Sequence, residues 1–458
     1  MFSPPNAAPT PDTPQSTVAN IARDVAAGGM SAVELTRQAL DRMEMLRAAG
    51  DRAYTTIMRI SAEAQALQID MGDAARKSKA LLCGVPISVK DLFDIAGEVT
   101  LAGSAALAGA PPALADATAV ERLKRQGAII VGKSNMTEFA VHTLGEHAAF
   151  GRPDNPAAPR HATGGSSSGA AASVASDSVP GALATDTGGS IRVPAALCGL
   201  VGFTPSTGRV PTAGVFPLST TFDTVGPIAR TVDCCARMDA ALADLSGATL
   251  DRLSGRALRL GLPRHFVLDG LDPTVARAFE RALISLSEHG VSVVEFDWPE
   301  LAQGEWQDRF GELVWREAYA VHEKLLGKQE SGYEPETARR LSQGRNIDAN
   351  MYLSARSVRK KLVRDSLARA KGFDAIVMPT TPIVAPRATE LNVPEMAARV
   401  EALLGRNAEI ANFFGYCAIT IPCHSRGELP VGLMMLGRDD RRILSLAATV
   451  EPVVSGHS

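Results

Sequence analysis

The sequence predicts an α/β protein built on a large, twisted mixed sheet with helices on both faces. From Leu82 onward, short β-branched or apolar runs at 85–89 and 128–131 alternate with a helical stretch at 119–126. This alternation is typical of an α/β sheet. The hydrophobic content of 45% and the charged content of 21% agree with a globular fold.

The first 49 residues divide into a leader and two helices. Residues 1–16 are rich in Pro and Ala and are predicted to be a disordered leader. Residues 17–49 carry apolar side chains at near-helical spacing, among them Ile21, Val25 and Leu40. Ser31 and Glu34 form the pattern of a capping box, which predicts where the second helix begins.

In the carboxyl-terminal half, the sequence pattern changes to that of amphipathic helices and then returns to that of strands. Residues 274–289 and 351–371 have the charge pattern of amphipathic helices, so 250–372 is predicted to be a helical insertion. Apolar, β-branched runs return at 375–378 and 418–421, which predicts that the sheet resumes over 373–450. Residues 17–458 are therefore predicted to form a single domain that the insertion interrupts.

Charge and cysteine content narrow the range of partners and compartments. The 47 basic and 50 acidic residues give a net charge of -3, so neither a nucleic acid nor an anionic membrane is an expected partner. The six cysteines lack CxxC spacing, which is typical of buried thiols in a reducing compartment. The sequence shows no secretory signal and no apolar run of 18 residues, which predicts a cytoplasmic protein.

Residues 127–134 match the phosphate-loop pattern G-x-x-x-x-G-K-[ST], which would indicate an ATPase or a GTPase. A phosphate loop presents its backbone amides to the ligand. The intervening Ala-Ile-Ile-Val has instead the composition of a strand, whose amides are engaged in the sheet. The segment is therefore interpreted as a strand.

A second pattern, G-x-S-x-G around Ser167, resembles a nucleophile elbow, which requires a strand directly before it. The preceding residues 155–163 contain two prolines and read as a loop, so an elbow is not favoured. His161 in that loop is the best-placed histidine for a catalytic base. A structural histidine is the more common occurrence, and metal-ligand spacing is absent.

Two glycine-serine segments, at 164–169 and 186–192, are the strongest functional signal in the chain. Hydroxyls and unobstructed backbone amides at this density can supply a nucleophile and an anion-binding pocket. Lys90 ends an apolar run, and burial of a lysine favours its neutral amine, which can act as a general base. A lysine that reaches solvent, or one that pairs with Asp91, explains the local sequence equally well.

Together these segments resemble the amidase signature family. The match covers residues 70–230 in order and resumes near the carboxyl terminus, in the motifs at 86–91, 132–139, 164–169, 186–195, 378–382 and 421–434. The resemblance implies the amidase signature fold and a Ser-cis-Ser-Lys triad. In that triad Ser190 is the nucleophile, Ser166 the middle serine and Lys90 the base.

The resemblance further implies an amide hydrolase that works through an acyl-enzyme, with no cofactor and no metal. Its oxyanion hole is expected from the backbone amides of four consecutive residues, Thr187, Gly188, Gly189 and Ser190, because the two glycines leave those amides unobstructed. Three residues are implied to hold the loops around the site: Ser167, Asp186 and Arg192.

The expected substrate is a small-molecule amide, and two alternatives remain open. One is an amidotransferase A-type subunit that depends on a partner protein. The other is a carboxybiuret-type ureido hydrolase, which the segments 100–104 and 117–121 resemble. Glutamine is not expected, because 402–408 carry no acid to bind its amino group. Arg339 and Arg340 could bind a substrate carboxylate or form a solvated helix face. A homodimer is also left open.

Overall fold

The computed structural model describes residues 17–146, 149–248, 250–251, 258–302, 304–329 and 332–455. The predicted leader at 1–16 lies outside this part of the chain. Eleven strands of the described residues form a single sheet. They are β1 Tyr54–Ile57, β2 Pro86–Lys90, β3 Ile129–Ser134, β4 Gly181–Asp186, β5 Val201–Thr204, β6 Thr224–Ala229, β7 Arg259–Pro263, β8 Ser292–Phe296, β9 Ala375–Pro379, β10 Cys417–Pro422 and β11 Gly432–Gly437.

The strands lie in the order β1-β3-β2-β4-β6-β5-β10-β11-β9-β7-β8. The pairs β2–β3, β2–β4, β7–β8 and β7–β9 are parallel, and the remaining neighbours are antiparallel. The predicted mixed sheet is therefore confirmed. Val89 of β2 lies opposite Leu183 of β4, which places the carboxyl ends of these two strands side by side.

Helices flank the sheet, as the sequence predicts for this fold class. Those of the described residues are α1 Val18–Ala26, α2 Ala32–Ala48, α3 Arg59–Asp70, α4 Ala74–Lys79, α5 Thr118–Arg125, α6 Ser168–Ala175, α7 Arg192–Leu197, α8 Val232–Leu242, α9 Pro273–Glu288, α10 Pro299–Ala302, α11 Glu305–Gln329, α12 Pro335–Gln343, α13 Ala349–Arg369, α14 Pro394–Phe414 and α15 Asp440–Val454. Among the described residues, no helix is both long and apolar enough to cross a membrane.

Ser31 caps α2 as predicted, since its hydroxyl accepts a hydrogen bond from the amide of Glu34 at 3.2 Å. The carboxylate of Asp70, at the end of α3, accepts from the amides of Ala32 and Val33 at 2.8 and 3.1 Å. The first turn of α2 is therefore satisfied both by its own cap and by a neighbouring helix.

Residues 127–134 form β3 and the turn before it, as the interpretation of this segment requires. All six residues of β3 are buried, and the strand pairs with β1 on one side and β2 on the other. The backbone amides of a strand with two neighbours are engaged in the sheet. The segment therefore matches the sequence pattern of a phosphate loop but does not have the structure of one.

Two strands lie in the range for which the sequence predicts helices alone. β7 and β8 fall within 250–372 and extend one end of the sheet beyond β9. Both are short, and β8 is an edge strand whose residues are exposed or half-buried. Each strand is only five residues long, and an apolar run this short fits a strand or part of a helix, which explains why sequence reasoning missed both.

Candidate active site

Lys90, the last residue of β2, is completely buried at the centre of a polar cluster. Its Nζ donates hydrogen bonds to Ser166 Oγ at 2.7 Å and to Thr185 Oγ1 at 2.9 Å. Thr185 stands near the end of β4, the strand beside β2. Sequence reasoning paired Lys90 with Ser166 but did not find Thr185, since only the register of the two strands brings that hydroxyl to the lysine.

Burial lowers the pKa of Lys90 to about 7, although the negative charges of Asp186 and Asp223 favour the ammonium form. Desolvation penalises the charged form of a lysine, and here it outweighs the attraction of the two carboxylates. Near neutral pH a substantial fraction of Lys90 is therefore the free amine. Such an amine can accept a proton from the hydroxyl 2.7 Å away.

Ser166 and Ser167 occupy the turn before α6. The peptide bond between Gly165 and Ser166 is cis, and the carbonyl of Ser166 accepts from the amide of Thr137 at 3.0 Å. Ser167 Oγ donates to the carbonyl oxygen of Thr185 at 3.3 Å. Both serines are fully buried, so the turn is fixed against β4 and has no freedom to act as a linker.

Ser190 lies in the short loop between β4 and α7, and 4% of it is exposed. The carboxylate of Asp186 shapes this loop by accepting from the amides of Gly189 at 2.7 Å and Ile191 at 3.1 Å. Gly189 has φ +110, and a Cβ on it would lie 2.6 Å from Ala408 Cβ. Glycine is therefore required there by both backbone conformation and close packing.

One of the four predicted oxyanion donors already donates a hydrogen bond within the protein. The amide of Gly189 is engaged by Asp186, so it is not free to bind a substrate oxygen. Within the described ranges, the amides of Thr187, Gly188 and Ser190 donate no hydrogen bond. These three therefore remain candidates for the oxyanion hole.

Arg192 and Asp186 form a fully buried ion pair behind the loop, with a closest approach of 3.0 Å. Arg192 also donates to the carbonyl of Ala408 at 2.7 Å and to Asn412 Oδ1 at 2.5 Å, which connects α7 to α14. Burial raises the pKa of Asp186, but the guanidinium charge outweighs it and holds that pKa well below its usual range. Asp186 is thus a permanent anion that organises the loop.

Asp223 is a further carboxylate that sequence reasoning missed. Its Oδ1 accepts from Thr187 Oγ1 at 2.5 Å, and its Oδ2 accepts from the amides of Leu218 and Ser219 at 2.9 and 3.0 Å. Burial raises the pKa of Asp223 to about 6, even though these three donors favour the anion. Asp223, which directly precedes β6, therefore fixes Thr187 in the loop that carries Ser190.

A cavity of about 290 Å³ opens in front of Ser190. Thr187, Gly188 and Ser190 form one wall of it. The apolar wall includes Leu218, Phe310 and Trp315, and the charged wall consists of Arg340, Glu401 and Glu409. A volume of this size suits a small ligand.

The two arginines that could bind a substrate carboxylate have other partners. Arg340 lines the cavity, but its guanidinium forms a bidentate pair with Glu401 and also donates to Glu336 Oε1 at 2.7 Å. Arg339 is 59% exposed and pairs with Glu336. Neither cation is therefore free for a substrate carboxylate.

The structure separates His161 from the serine-lysine cluster. It is half-buried, its Nδ1 lies 3.0 Å from the carbonyl of Pro159, and it does not line the cavity. Among the described residues, no group of three or more His, Cys, Asp or Glu side chains is arranged to hold a metal ion.

A mixed α/β sheet with a buried lysine that donates a hydrogen bond to a serine, beside a glycine-rich loop that faces a small cavity, is the arrangement that the resemblance to amide hydrolases implies. The family model described as Amidase matches residues 34–442. The chain belongs to the amidase signature family and is an enzyme that acts on amide bonds.

Three known proteins illustrate the similarity. The chain is 34% identical to the A subunit of the glutamyl-tRNA(Gln) amidotransferase of Roseiflexus castenholzii, over 97% of both chains. It is also 34% identical to the 2-amino-5-chloromuconic acid deaminase of Comamonas testosteroni, over 82% of this chain and 83% of that one. A crystal structure of an amidase superposes with a TM-score of 0.85 and 30% identity, covering 96% of this chain and 100% of the other.

Proposed function

We propose that this enzyme hydrolyses a small-molecule amide to a carboxylic acid and ammonia or an amine, with Ser190 as nucleophile, Ser166 as middle serine and Lys90 as base. The observation that carries the proposal is the 2.7 Å contact between Lys90 Nζ and Ser166 Oγ. Both groups are fully buried. A lysine made neutral by burial can accept a proton from the hydroxyl beside it.

In the acylation step, neutral Lys90 takes the proton of Ser166, and Ser166 takes the proton of Ser190 as its oxygen attacks the amide carbon. The carbonyl oxygen becomes an oxyanion, which the amides of the nucleophile loop stabilise. The proton then returns along the same path to the amide nitrogen. The carbon–nitrogen bond breaks, and ammonia or an amine leaves the acyl-enzyme.

In the deacylation step, a water molecule attacks the ester formed with Ser190. Its proton passes through Ser166 to Lys90, and the second oxyanion occupies the same hole. Collapse of that intermediate releases the carboxylic acid and restores the hydroxyl of Ser190. Water is the only co-reactant, so atoms and charges balance over the two steps.

The network around Asp186 supports these roles. Asp186 and Arg192 fix the loop that carries Ser190, and Ser167 ties the turn of the middle serine to β4. Preorganised donors are effective because they need no rearrangement when charge develops. We propose that these three residues position the catalytic groups without contacting the substrate.

Dependence on a partner protein defines the second candidate function. One observation favours it: the chain covers 97% of a relative that is named as the A subunit of an amidotransferase. In that case the isolated chain would hold an assembled site but turn over slowly until a second protein binds. The carboxybiuret-type ureido hydrolase remains an alternative within the first candidate.

Ammonia release from a panel of small amides tests the proposal. Wild type should release ammonia, the Ser190→Ala variant should not, and Ser168→Ala serves as a matched control because Ser168 is a neighbouring buried serine outside the proposed triad. Equal release by wild type and Ser190→Ala would contradict the mechanism. An inert chain that becomes active with a second protein would favour the partner-dependent candidate.

A further inference from the structure

The carboxylate of Glu317, on α11, accepts hydrogen bonds from five donors. Its Oε2 accepts from Ser219 Oγ at 2.6 Å, from the amide of Thr221 at 2.9 Å and from Thr220 Oγ1 at 3.3 Å. Its Oε1 accepts from Thr221 Oγ1 at 2.5 Å and from Tyr352 Oη at 2.7 Å. Four of these donors belong to three consecutive residues, so a single side chain of α11 holds this short stretch of the chain.

The donors also keep Glu317 ionised at neutral pH. Burial raises the pKa of Glu317, but the hydrogen bonds from Ser219, Thr221 and Tyr352 outweigh burial and hold that pKa below its usual value. Hydrogen bonds to an ionised carboxylate are about twice as strong as those between neutral groups. The stretch is therefore firmly attached to α11.

Residues 218–223, which we call the Asp223 loop, form one compact unit. The amides of Phe222 and Asp223 donate to the carbonyl of Ser219 at 3.2 and 2.8 Å. Asp223 Oδ2 accepts in turn from the amides of Leu218 and Ser219 at 2.9 and 3.0 Å. Because these bonds close the loop on itself, a displacement of Ser219 also displaces the carboxylate of Asp223.

The Asp223 loop reaches the catalytic site at two points. Asp223 Oδ1 accepts from Thr187 Oγ1 at 2.5 Å, and the amide of Thr187 is a candidate oxyanion donor. Leu218 lines the cavity in front of Ser190. Glu317 itself does not line that cavity. It can therefore influence the site only through the loop that it holds.

Two carboxylates favour the ammonium form of Lys90, and only one of them belongs to the Asp223 loop. They are Asp186 and Asp223. Asp186 is fixed independently by its own buried ion pair. Asp91, the residue after Lys90, is neutralised by Lys133 at 2.7 Å. The electrostatic field at Lys90 therefore changes with the position of the Asp223 loop.

We infer that Glu317 is a positioning residue, which holds the Asp223 loop and thereby fixes the Asp223 carboxylate beside Lys90 and Thr187. The inference rests on the proposed role of Lys90 as base. Loss of Glu317 should then act on the same quantity as loss of Asp223, which is the ionisation of Lys90. It should act indirectly, since Glu317 remains outside the catalytic cavity.

Two variants break the attachment from opposite sides. Glu317→Gln keeps the size of the side chain but removes its charge and turns an N–H group toward other donors. The double variant Ser219→Ala, Thr221→Val keeps the charge and removes two of the five donors. It also decides the question if Glu317→Gln does not fold. Glu323→Gln, at an exposed position of the same helix, removes one charge away from the loop and is the control.

Two measurements follow the ionisation of Lys90. The first is the pH at which kcat/KM for amide hydrolysis reaches half of its plateau value. The second is the NMR titration of Lys90 Cε in protein that carries isotope-labelled lysine, with the resonance assigned by its absence from Lys90→Met. The second measurement needs no turnover. A merely structural loss of folded enzyme lowers the plateau but moves neither midpoint.

Glu317→Gln and the double variant should both move the two midpoints to lower pH by about half a pH unit, because the released Asp223 carboxylate no longer stays beside the amine. Added to Asp223→Asn, they should produce no further shift, since the charge through which they act is then absent. Glu323→Gln should leave both midpoints at their wild-type values.

The alternatives give different results. Unchanged midpoints in Glu317→Gln and in the double variant would overturn the inference. A shift in Glu317→Gln alone, or an equal shift in Glu323→Gln, would show that charge acts directly over a distance and would overturn it as well. So would an undiminished shift in the Asp223→Asn background. If Lys90 of wild type does not titrate near neutral pH, the proposed base itself fails, which is a separate result.

Discussion

Lys90 Nζ lies 2.7 Å from Ser166 Oγ, and neither residue is reached by solvent. A buried ammonium would need an anion in direct contact, whereas here the nearest partners are the hydroxyls of Ser166 and Thr185. This contact is the basis of the base role proposed for Lys90. Activity should therefore depend on this contact and on the network that surrounds it.

The rate of amide hydrolysis should depend on the ionisation of Lys90. Burial lowers its pKa to about 7, so the protonated, inactive form dominates below that pH and the free base above it. We expect kcat/KM to rise about tenfold per pH unit on the acid side and to level off above pH 7. A pH–rate profile of the free enzyme checks this. A flat profile between pH 5 and 8 would rule out a titrating lysine of this kind.

Asp223→Asn should move that profile to lower pH. The negative charge of Asp223 favours the ammonium form of Lys90, so its removal lowers the pKa of Lys90 further. Asparagine can keep its oxygen toward the amides of Leu218 and Ser219 and donate its own N–H to Thr187 Oγ1, which limits the structural change. The measurement is the pH at which kcat/KM reaches half of its plateau value. Thr187→Val removes the hydrogen bond between Thr187 and Asp223 but keeps the carboxylate, so it is the control and should leave the pH dependence of kcat/KM unchanged.

Gly189→Ala should inactivate the enzyme and destabilise it by about 1–3 kcal/mol. A Cβ there would lie 2.6 Å from Ala408 Cβ, and φ is +110. Displacing this loop should lower kcat about 100-fold or more, as for the loss of an oxyanion donor. Gly208→Ala is the matched control, because Gly208 has φ +83 with nothing within 4 Å. Equal loss of activity in the two variants would contradict the role given to the packing at Ala408.

Arg192→Met should destabilise the fold by about 3–5 kcal/mol, since it leaves the buried Asp186 charge unpaired. Arg339→Met, which breaks an exposed pair with Glu336 on α12, should change stability by no more than about 0.5 kcal/mol. Urea unfolding of both variants measures the difference. Similar midpoints for the two would show that Arg192 does not support the core of the site.

Part of the candidate site could be predicted from the chain because its residues stand in contiguous motifs. The strand that ends in Lys90 and the glycine-serine segment that carries Ser166 meet in the structure at 2.7 Å, and the roles of base, middle serine and nucleophile stay predictions. The family resemblance implies that Asp186 holds the loop, and in the structure Asp186 accepts from amides only three and five residues away.

The remaining site residues depend on contacts that are remote in sequence. Thr185 is 95 residues from Lys90, and Asn412 is 226 residues from Asp186. Glu409 directly follows the stretch 402–408, which carries no acid, and only the helical conformation of 394–414 shows that it faces the cavity. No local pattern encodes such pairings. β7 and β8 escaped prediction for a different reason, since apolar runs of only five residues fit a strand or part of a helix equally well.

The most direct test of the relay is the site and rate of modification by an alkyl fluorophosphonate, followed by peptide mapping. The proposed relay predicts a single adduct on Ser190 in wild type, none in Ser190→Ala, and reaction at least about 100-fold slower in Lys90→Ala and in Ser166→Ala. An adduct on Ser166 or Ser167, or a rate unchanged by Lys90→Ala, would contradict it.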